Sequence, residues 1–474
     1  MIFSSVDFLI FLFVVWSIYF SLANYSFQLQ KRFLVLASLF FYGYWSVIYL
    51  PIIVVSTLLN YCLGRLINLE SNKRKKKVFL SIGVVLNILL LATFKYLDFF
   101  ILNLNYLFSG DINLLYIALP LAISFFTFQQ IAYLVDAYKN DFEDYQLADY
   151  FLFVTFFPQL IAGPIVHHKQ MMPQFKLIDN RRVSFNNVHS GLFIFGIGLF
   201  KKIVIADYFG DFANLGYESI DSLTSWGAWS TTLSYTIQLY FDFSGYCDMA
   251  IGAALLFNIN LPINFNSPYK AYSIQDFWRR WHITLSTWLR DYVYIPLGGN
   301  RGGESQVYRN LFITFLIGGF WHGAGWGFVI WGVLHGLALC LHRFWSKFNI
   351  KIPSFIAWCC TILFVHFAWV FFRADTVSDA LVLIQKMSEL SLSADYISQF
   401  MTSFYEVDIY RLNGPFVSVL AISVLFACKF LPNSNELLKL KNSFYASLLS
   451  AFALVLGVIF MAGTTSQTLL YFDF

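Results

Sequence analysis

The sequence predicts an all-α, polytopic integral membrane protein, and three observations predict it. Charged residues make up 12% of the 474-residue chain and hydrophobic ones 58%, whereas a soluble globular chain carries about 25% charged residues. Apolar runs of membrane-spanning length recur from end to end, and roughly 20 apolar residues cross a ~30 Å hydrocarbon layer as a helix. The short alternating segments of a transmembrane barrel do not occur, so the backbone groups in lipid must be paired within helices.

The spans are expected near 6–24, 32–49, 51–68 and 78–98. Further ones fall near 112–137, 150–166, 190–206, 228–256, 307–345, 354–373, 415–431 and 443–463. No basic segment precedes Val6 to Leu22, so this stretch reads as a retained span rather than a cleaved signal. Lys31 and Arg32 follow the first span, and Lys73 to Lys77 follow the third. Basic residues favour the cytoplasmic side, which places the amino terminus outside, in the periplasm of a bacterial inner membrane. Leu311 to Cys340 holds no charged residue. As one helix it would run about 45 Å, too long for a single crossing. Gly318, Gly319, Gly323 and Gly325 mark where it breaks or packs closely. Roughly eleven transmembrane helices with shorter re-entrant segments are expected, in one domain over 1–474 with no separate soluble domain. The moderately polar stretch 374–414 reads as an interfacial helix or a loop.

Composition and motifs exclude several function classes. The net charge of +4 comes from scattered or span-end basic residues, so no nucleic-acid surface is expected. The six cysteines have no metal-ligand spacing and read as small buried apolar side chains. His167 and His168 are adjacent. Side chains at consecutive helical positions diverge and no third ligand is suitably spaced, so no metal site is expected. The segment Phe157 to His168, with Pro158 and Pro164, reads as a re-entrant loop. Leu297 to Gly303 is Gly-rich but lacks Walker spacing, and reads as a turn. Nothing resembles the Gly-x-Ser-x-Gly of a serine hydrolase.

Ionisable groups in lipid are costly and are functional candidates by default. His322 lies in Phe320-Trp321-His322-Gly323, deep in the uncharged run. An imidazole shielded from water favours its neutral form and can serve as a general base toward a hydroxyl. The bland alternative is a histidine that hydrogen-bonds two helices together. His335 and His342 are less distinctive. A second constellation runs from Gln275 to Asp291. Trp278, Trp281, Leu285 and Trp288 recur there at helical spacing, with Arg279, Arg280 and Arg290 largely elsewhere. That pattern reads either as an interfacial amphipathic helix or as a cavity wall whose arginines bind donor phosphates. A third group, Gln238 to Asp248, carries Asp242 and Asp248 in an apolar segment. Six residues apart, they do not share a helix face. Each is expected to pair with Arg279 or Arg280, and cation transport is the functional alternative.

On these residues the chain resembles the bacterial membrane-bound O-acyltransferases, and among them the branch of alginate O-acetyltransferase membrane subunits. The strings that carry the resemblance are Leu119 to Tyr138, Phe157 to Pro164, Gln238 to Ala250, Phe277 to Asn300, Arg309 to Gly325 and Trp369 to Ala374, within a core region 115–375. The resemblance implies a helical bundle around a central tunnel, with His322 as the active-site histidine and His282 as the second. Arg279, Arg280, Trp278, Trp281, Gln238, Asp242 and Trp321 are expected to hold the substrates. Acetyl coenzyme A is the implied donor, as a substrate rather than a resident cofactor. A periplasmic partner with an SGNH-hydrolase-like fold is expected to complete transfer to a polysaccharide such as alginate, peptidoglycan or cellulose. After Gly163-Pro164 this chain reads Ile165-Val166-His167-His168, a departure from the alginate pattern that leaves the glycan open. Two rivals stand beside this reading: acylation of a lipid, a protein or teichoic acid, and a proton-coupled transporter or flippase using Asp242, Asp248 and His322.

Overall fold

A computed structural model describes residues 1–139, 145–389 and 415–463, and every regular element among them is helical. Helix α1 (Val6–Leu22) starts at Ser5, whose hydroxyl accepts the Phe8 amide at 3.3 Å. Ahead of it Phe3 is buried, stacked on Phe8 and Tyr246 with ring centroids 4.4 and 4.5 Å away. Next come α2 (Phe27–Trp45) and α3 (Leu50–Leu69), with Pro51 in the first turn of α3, where a missing amide is tolerated. The basic run opens α4 (Lys73–Leu91), which continues through a wide π-helical turn, Ala92–Tyr96, into α5 (Leu97–Phe108). Lys31, one of the basic residues used to orient the chain, is buried in α2 and paired with Asp149 at 2.7 Å.

The segment expected over 112–137 becomes helical only at Ile123, in α6 (Ile123–Tyr138). The one expected over 150–166 is divided into α7 (Leu147–Thr155), the single turn α8 (Phe157–Leu160) and an extended stretch leading to α9 (His168–Met171). Pro158 begins α8 rather than interrupting a helix. Then α10 (Phe185–Phe200) passes through a second π turn, Lys201–Ala206, into α11 (Asp207–Glu218), followed by α12 (Ser225–Leu256).

Helix α12 is the axle of the fold. Its 32 residues span ~48 Å, and they are buried on every face along nearly the whole length. A helix buried all round needs close neighbours, and glycine provides them. A Cβ on Gly252 would meet the Gly191 carbonyl oxygen at 2.6 Å, and one on Gly198 would meet that of Gly245 at 2.6 Å. The backbones of α10 and α12 therefore touch at two levels, as small residues permit in membrane helices. Gly252→Val is expected to destabilise the fold by about 2 kcal/mol or more. Thermal melts of the detergent-purified protein would check this, and an unchanged midpoint would show that the contact is dispensable.

Beyond α12 the chain forms α13 (Ile274–Trp278), α14 (Ile283–Leu289), a third π turn (Arg290–Tyr294), α15 (Glu304–His322), α16 (Trp326–Ser346), α17 (Ser354–Arg373) and α18 (Val377–Ser388). The Gly-rich stretch before α15 is the expected turn, with Gly298, Gly299 and Gly302 at φ of 114°, 55° and 105°. Only glycine enters these conformations at little cost. The long uncharged run breaks at Gly323 to Gly325 into the hairpin of α15 and α16, which is closely packed where Gly319 lies against Gly332. At its far end Arg343 and Lys347 hold the exposed Glu304 carboxyl below the usual carboxylate range. The part of 374–414 that is described contains α18, and 390–414 lies outside the described residues. The last helices are Pro415–Phe430, Ser434–Lys439 and Phe444–Gly463.

Among the described residues, 6 helices are long and apolar enough to cross a membrane: Val47–Leu69, Lys73–Phe108, Phe185–Glu218, Trp326–Ser346, Ser354–Arg373 and Phe444–Met461. Val6–Leu22 and Pro415–Phe430 are shorter apolar helices. Together they form a multi-pass membrane bundle.

Candidate active site

His322 is the last residue of α15. The chain can turn there because Gly323 leaves room for the Phe328 ring, which a Cβ would strike at 2.0 Å. The imidazole is 5% exposed and stands among Trp321, Trp331 and Phe372, with centroids 4.9, 5.0 and 5.2 Å away. Its Nδ1 has no hydrogen-bond partner among the described residues. The bland reading, a histidine tying two helices through its ring, finds no such bond at that nitrogen.

His282 faces it, with 6.4 Å between ring centroids. It is fully buried and occupies the break between α13 and α14 at φ 42°. A side chain at positive φ is uncommon, and backbone strain of this kind persists only where the surroundings enforce it. Asn264 enforces it. Its carboxamide oxygen accepts the Thr284 amide at 3.2 Å, the Thr284 hydroxyl at 2.9 Å and His282 Nδ1 at 3.2 Å, and its backbone carbonyl accepts the Ile283 amide at 2.9 Å. A carboxamide oxygen only accepts, so the His282 proton sits on Nδ1 and Nε2 carries the lone pair.

The single helix expected over Trp278 to Trp288 is therefore two short helices. Its four stripe residues, Trp278, Trp281, Leu285 and Trp288, are buried in walls, not anchored at an interface. Trp278 Nε1 donates to His335 Nδ1 at 3.1 Å, and Trp281 packs on Trp369 at 5.0 Å. Trp321 and Trp288 both lie on Phe128, at 5.0 and 3.7 Å. His335, underrated from sequence, is fully buried and shares the Trp331 ring with His322.

The expected pairing of Asp242 or Asp248 with Arg279 or Arg280 is not found. Asp242 pairs with Lys202 at 2.5 Å, and Asp248 with Lys201 at 2.7 Å. The π turn between α10 and α11 presents both lysines to α12. Arg280 bonds its own helical neighbour Asp276 at 2.8 Å, and Arg279 is exposed. Gln238 packs against Gly210 of α11.

His167 and His168 also differ from expectation. His167 precedes α9 in extended conformation, so the two rings do not diverge but stack at 4.5 Å. Their Nε2 atoms meet Asp136 Oδ2 at 2.7 and 3.1 Å, and the Tyr292 hydroxyl donates to the same oxygen at 2.8 Å. The Lys169 amide donates to His167 Nδ1 at 3.3 Å. Asp136 is thus the third group that sequence spacing did not supply: the three side chains bring ligand-type atoms within 4.8 Å of one another, a set that forms a hydrogen-bond hub and is also of a kind that could hold a metal ion.

Sequence reasoning missed Asn264, and it missed Lys95, whose Nζ donates to the Trp321 and His322 carbonyls at 2.8 Å each. A signal for the latter existed, since Lys95 is the one charged residue between Val78 and Leu97. For Asn264, in a polar loop after α12, there was none.

The arrangement sets two buried imidazoles 6.4 Å apart, centroid to centroid, among aromatic rings. Such a site can take a proton from a hydroxyl and return it to a leaving group.

Residues 39–375 match the family model described as the membrane-bound O-acyltransferase family. The peptidoglycan O-acetyltransferase of Helicobacter pylori is 47% identical over 490 aligned positions, covering 94% of this chain and 91% of that protein. A probable alginate O-acetylase of Pseudomonas aeruginosa is 40% identical over 386 positions, 80% of this chain and 74% of that protein. The teichoic acid D-alanyltransferase of Bacillus subtilis is 28% identical over 247 positions, about half of this chain.

Proposed function

Given that this chain belongs to the membrane-bound O-acyltransferase family and is an O-acyltransferase, we propose that it moves acetyl groups from cytosolic acetyl coenzyme A to a cell-surface glycan, with peptidoglycan as the acceptor. The observation that carries the chemistry is the facing pair His322 and His282, both buried among aromatic rings, where we place the reaction chamber. The acceptor hydroxyl oxygen attacks the thioester carbonyl carbon as its proton passes to the His322 imidazole. The carbon–sulfur bond then breaks and the proton goes on to the departing thiolate. His282, with its lone pair fixed on Nε2 by Asn264, orients the hydroxyl. Trp278, Trp281 and Trp321 wall the chamber, and the exposed Arg279 is available to donor phosphates.

Peptidoglycan is favoured because the relative named for it matches nearly the whole chain, whereas the alginate relative covers less. The basic run Lys73 to Lys77 supports an inner-membrane orientation with the amino terminus in the periplasm. A periplasmic SGNH-like partner would present the glycan hydroxyl to the site. The lysine partners of Asp242 and Asp248 weigh against a proton relay, and so against the transporter reading.

Purified full-length protein given radiolabelled acetyl coenzyme A, with and without a periplasmic partner, tests this directly. Thioester cleavage with label on muropeptides is expected. Label on lipid would redirect the acceptor. No cleavage by folded protein together with its partner would overturn the proposal.

A further inference from the structure

We propose that Lys95 is a positioning residue for His322, holding the end of α15 so that the imidazole meets its substrate in register. The inference rests on the acyl-transfer reading of His322. A helix leaves its last carbonyls without partners inside the helix, and many helices close them with backbone amides at and after a left-handed residue. Here Gly323 leaves α15 in extended conformation, at φ −163°. Side chains from one neighbouring turn take the carbonyls instead. Tyr96 Oη donates to the Phe320 carbonyl at 2.7 Å, and Lys95 Nζ donates to those of Trp321 and His322 at 2.8 Å each. Nζ also reaches Ser124 Oγ at 3.3 Å, and the Tyr96 ring stacks on Phe320 at 4.5 Å.

Three features set this contact apart from ordinary helix bracing. The first is the choice of partner. The buried lysines Lys31 and Lys202 and the part-buried Lys201 each meet an aspartate, and buried Lys76 lies over the Tyr138 ring near the start of its helix. Among the described residues no carboxylate lies within ion-pair distance of Lys95, which meets two carbonyls, the Ser124 hydroxyl and the face of the Trp321 ring. An amine placed at mid-helix in an apolar run is costly and calls for a reason. The second is the backbone that delivers it. Lys95 and Tyr96 end the π turn Ala92–Tyr96, and such single wide turns recur at functional sites. In an α-helix consecutive side chains diverge, whereas here both reach the same helix end. The third is the target. One of the two carbonyls belongs to His322 itself, so any slack at Lys95 moves the imidazole directly. Displacements near 1 Å can cost about 10²-fold in rate.

The test compares full-length wild type, Lys95→Met, Lys95→Arg and Tyr96→Phe in proteoliposomes, with His322→Ala as the inactive control. Acetyl coenzyme A cleavage is read as kcat and KM, and hydrogen exchange is followed peptide by peptide. Lys95→Met is expected to lower kcat by about 10- to 100-fold with KM within about twofold, and to raise exchange at 318–326 while the peptides of α12 stay protected. Lys95→Arg restores most of kcat, because its fork can serve both carbonyls. Tyr96→Phe gives a smaller loss of the same kind and decides the matter if Lys95→Met does not accumulate. A Lys95→Met kcat within twofold of wild type would overturn the inference. So would equal loss in Lys95→Arg, or exchange that rises throughout the bundle. A wild type that cleaves no thioester would instead remove the acyl-transfer reading, and the exchange arm would still report whether Lys95 holds the helix end.

Discussion

His322→Ala is expected to lower acetyl transfer by about 10³-fold at equal amounts of folded protein, within the range that a positioned acid–base group contributes. The loss should fall on kcat with KM little changed, because the imidazole acts on a proton in flight and not on donor binding. The substitution is unusually clean. Nδ1 of His322 has no partner among the described residues, so removing the ring strands no donor or acceptor on that side. What remains is a cavity among Trp321, Trp331 and Phe372, with a cost of a few kcal/mol at most. Labelled acetyl transfer by wild type and variant, normalised to monodisperse protein, measures it. Retention of more than a tenth of the activity would remove His322 from the chemistry and leave His282 as the group to examine.

The largest effect on stability is expected at Lys202. Its amine meets Asp242 at 2.5 Å and Asp207 at 2.7 Å. Lys202→Met would strand Asp242 inside the axle helix, where its side chain is 2% exposed. Removing one partner of a buried pair typically costs about 3–5 kcal/mol, and the second aspartate adds to it here. Lys202→Met should accumulate poorly and melt well below wild type. The double change Lys202→Met with Asp242→Asn should recover part of the loss, because the stranded charge is gone. If the double variant were no better than the single one, the pair would matter through shape and not through charge.

The helical bundle was readable because lipid forces it. Apolar runs of spanning length admit one backbone solution, and the glycines of the long uncharged run marked its break correctly. His322 stood out in the sequence for the same reason, as an ionisable group where none is cheap, and the structure buries it among aromatic rings. The partners of Asp242 and Asp248 were not readable. Helical spacing gave the faces of α12 correctly, and each carboxylate has its own lysine, but which helix faces them is a matter of tertiary packing. The tryptophan stripe misled for a local reason. Its period fits one helix, yet the chain breaks at His282, whose positive φ is imposed by Asn264 from a distant loop. The convergence of His167 and His168 on Asp136 was not legible because neighbouring side chains diverge in a helix, whereas the chain is extended at His167.

The three π turns have a consequence for descent. Each holds one residue more than the α-helical register, and each displays residues that partner a neighbouring helix: Lys95 with Tyr96, Lys201 with Lys202, and Tyr292. Deleting a single residue at any of them would restore a regular helix and swing everything downstream by roughly 100°, removing the contact while leaving hydropathy unchanged. In an alignment of relatives, a one-residue gap at 92–96 would therefore mark a lineage that fastens the end of α15 by other means, and chain length at these turns would be inherited more strictly than the apolar residues around them.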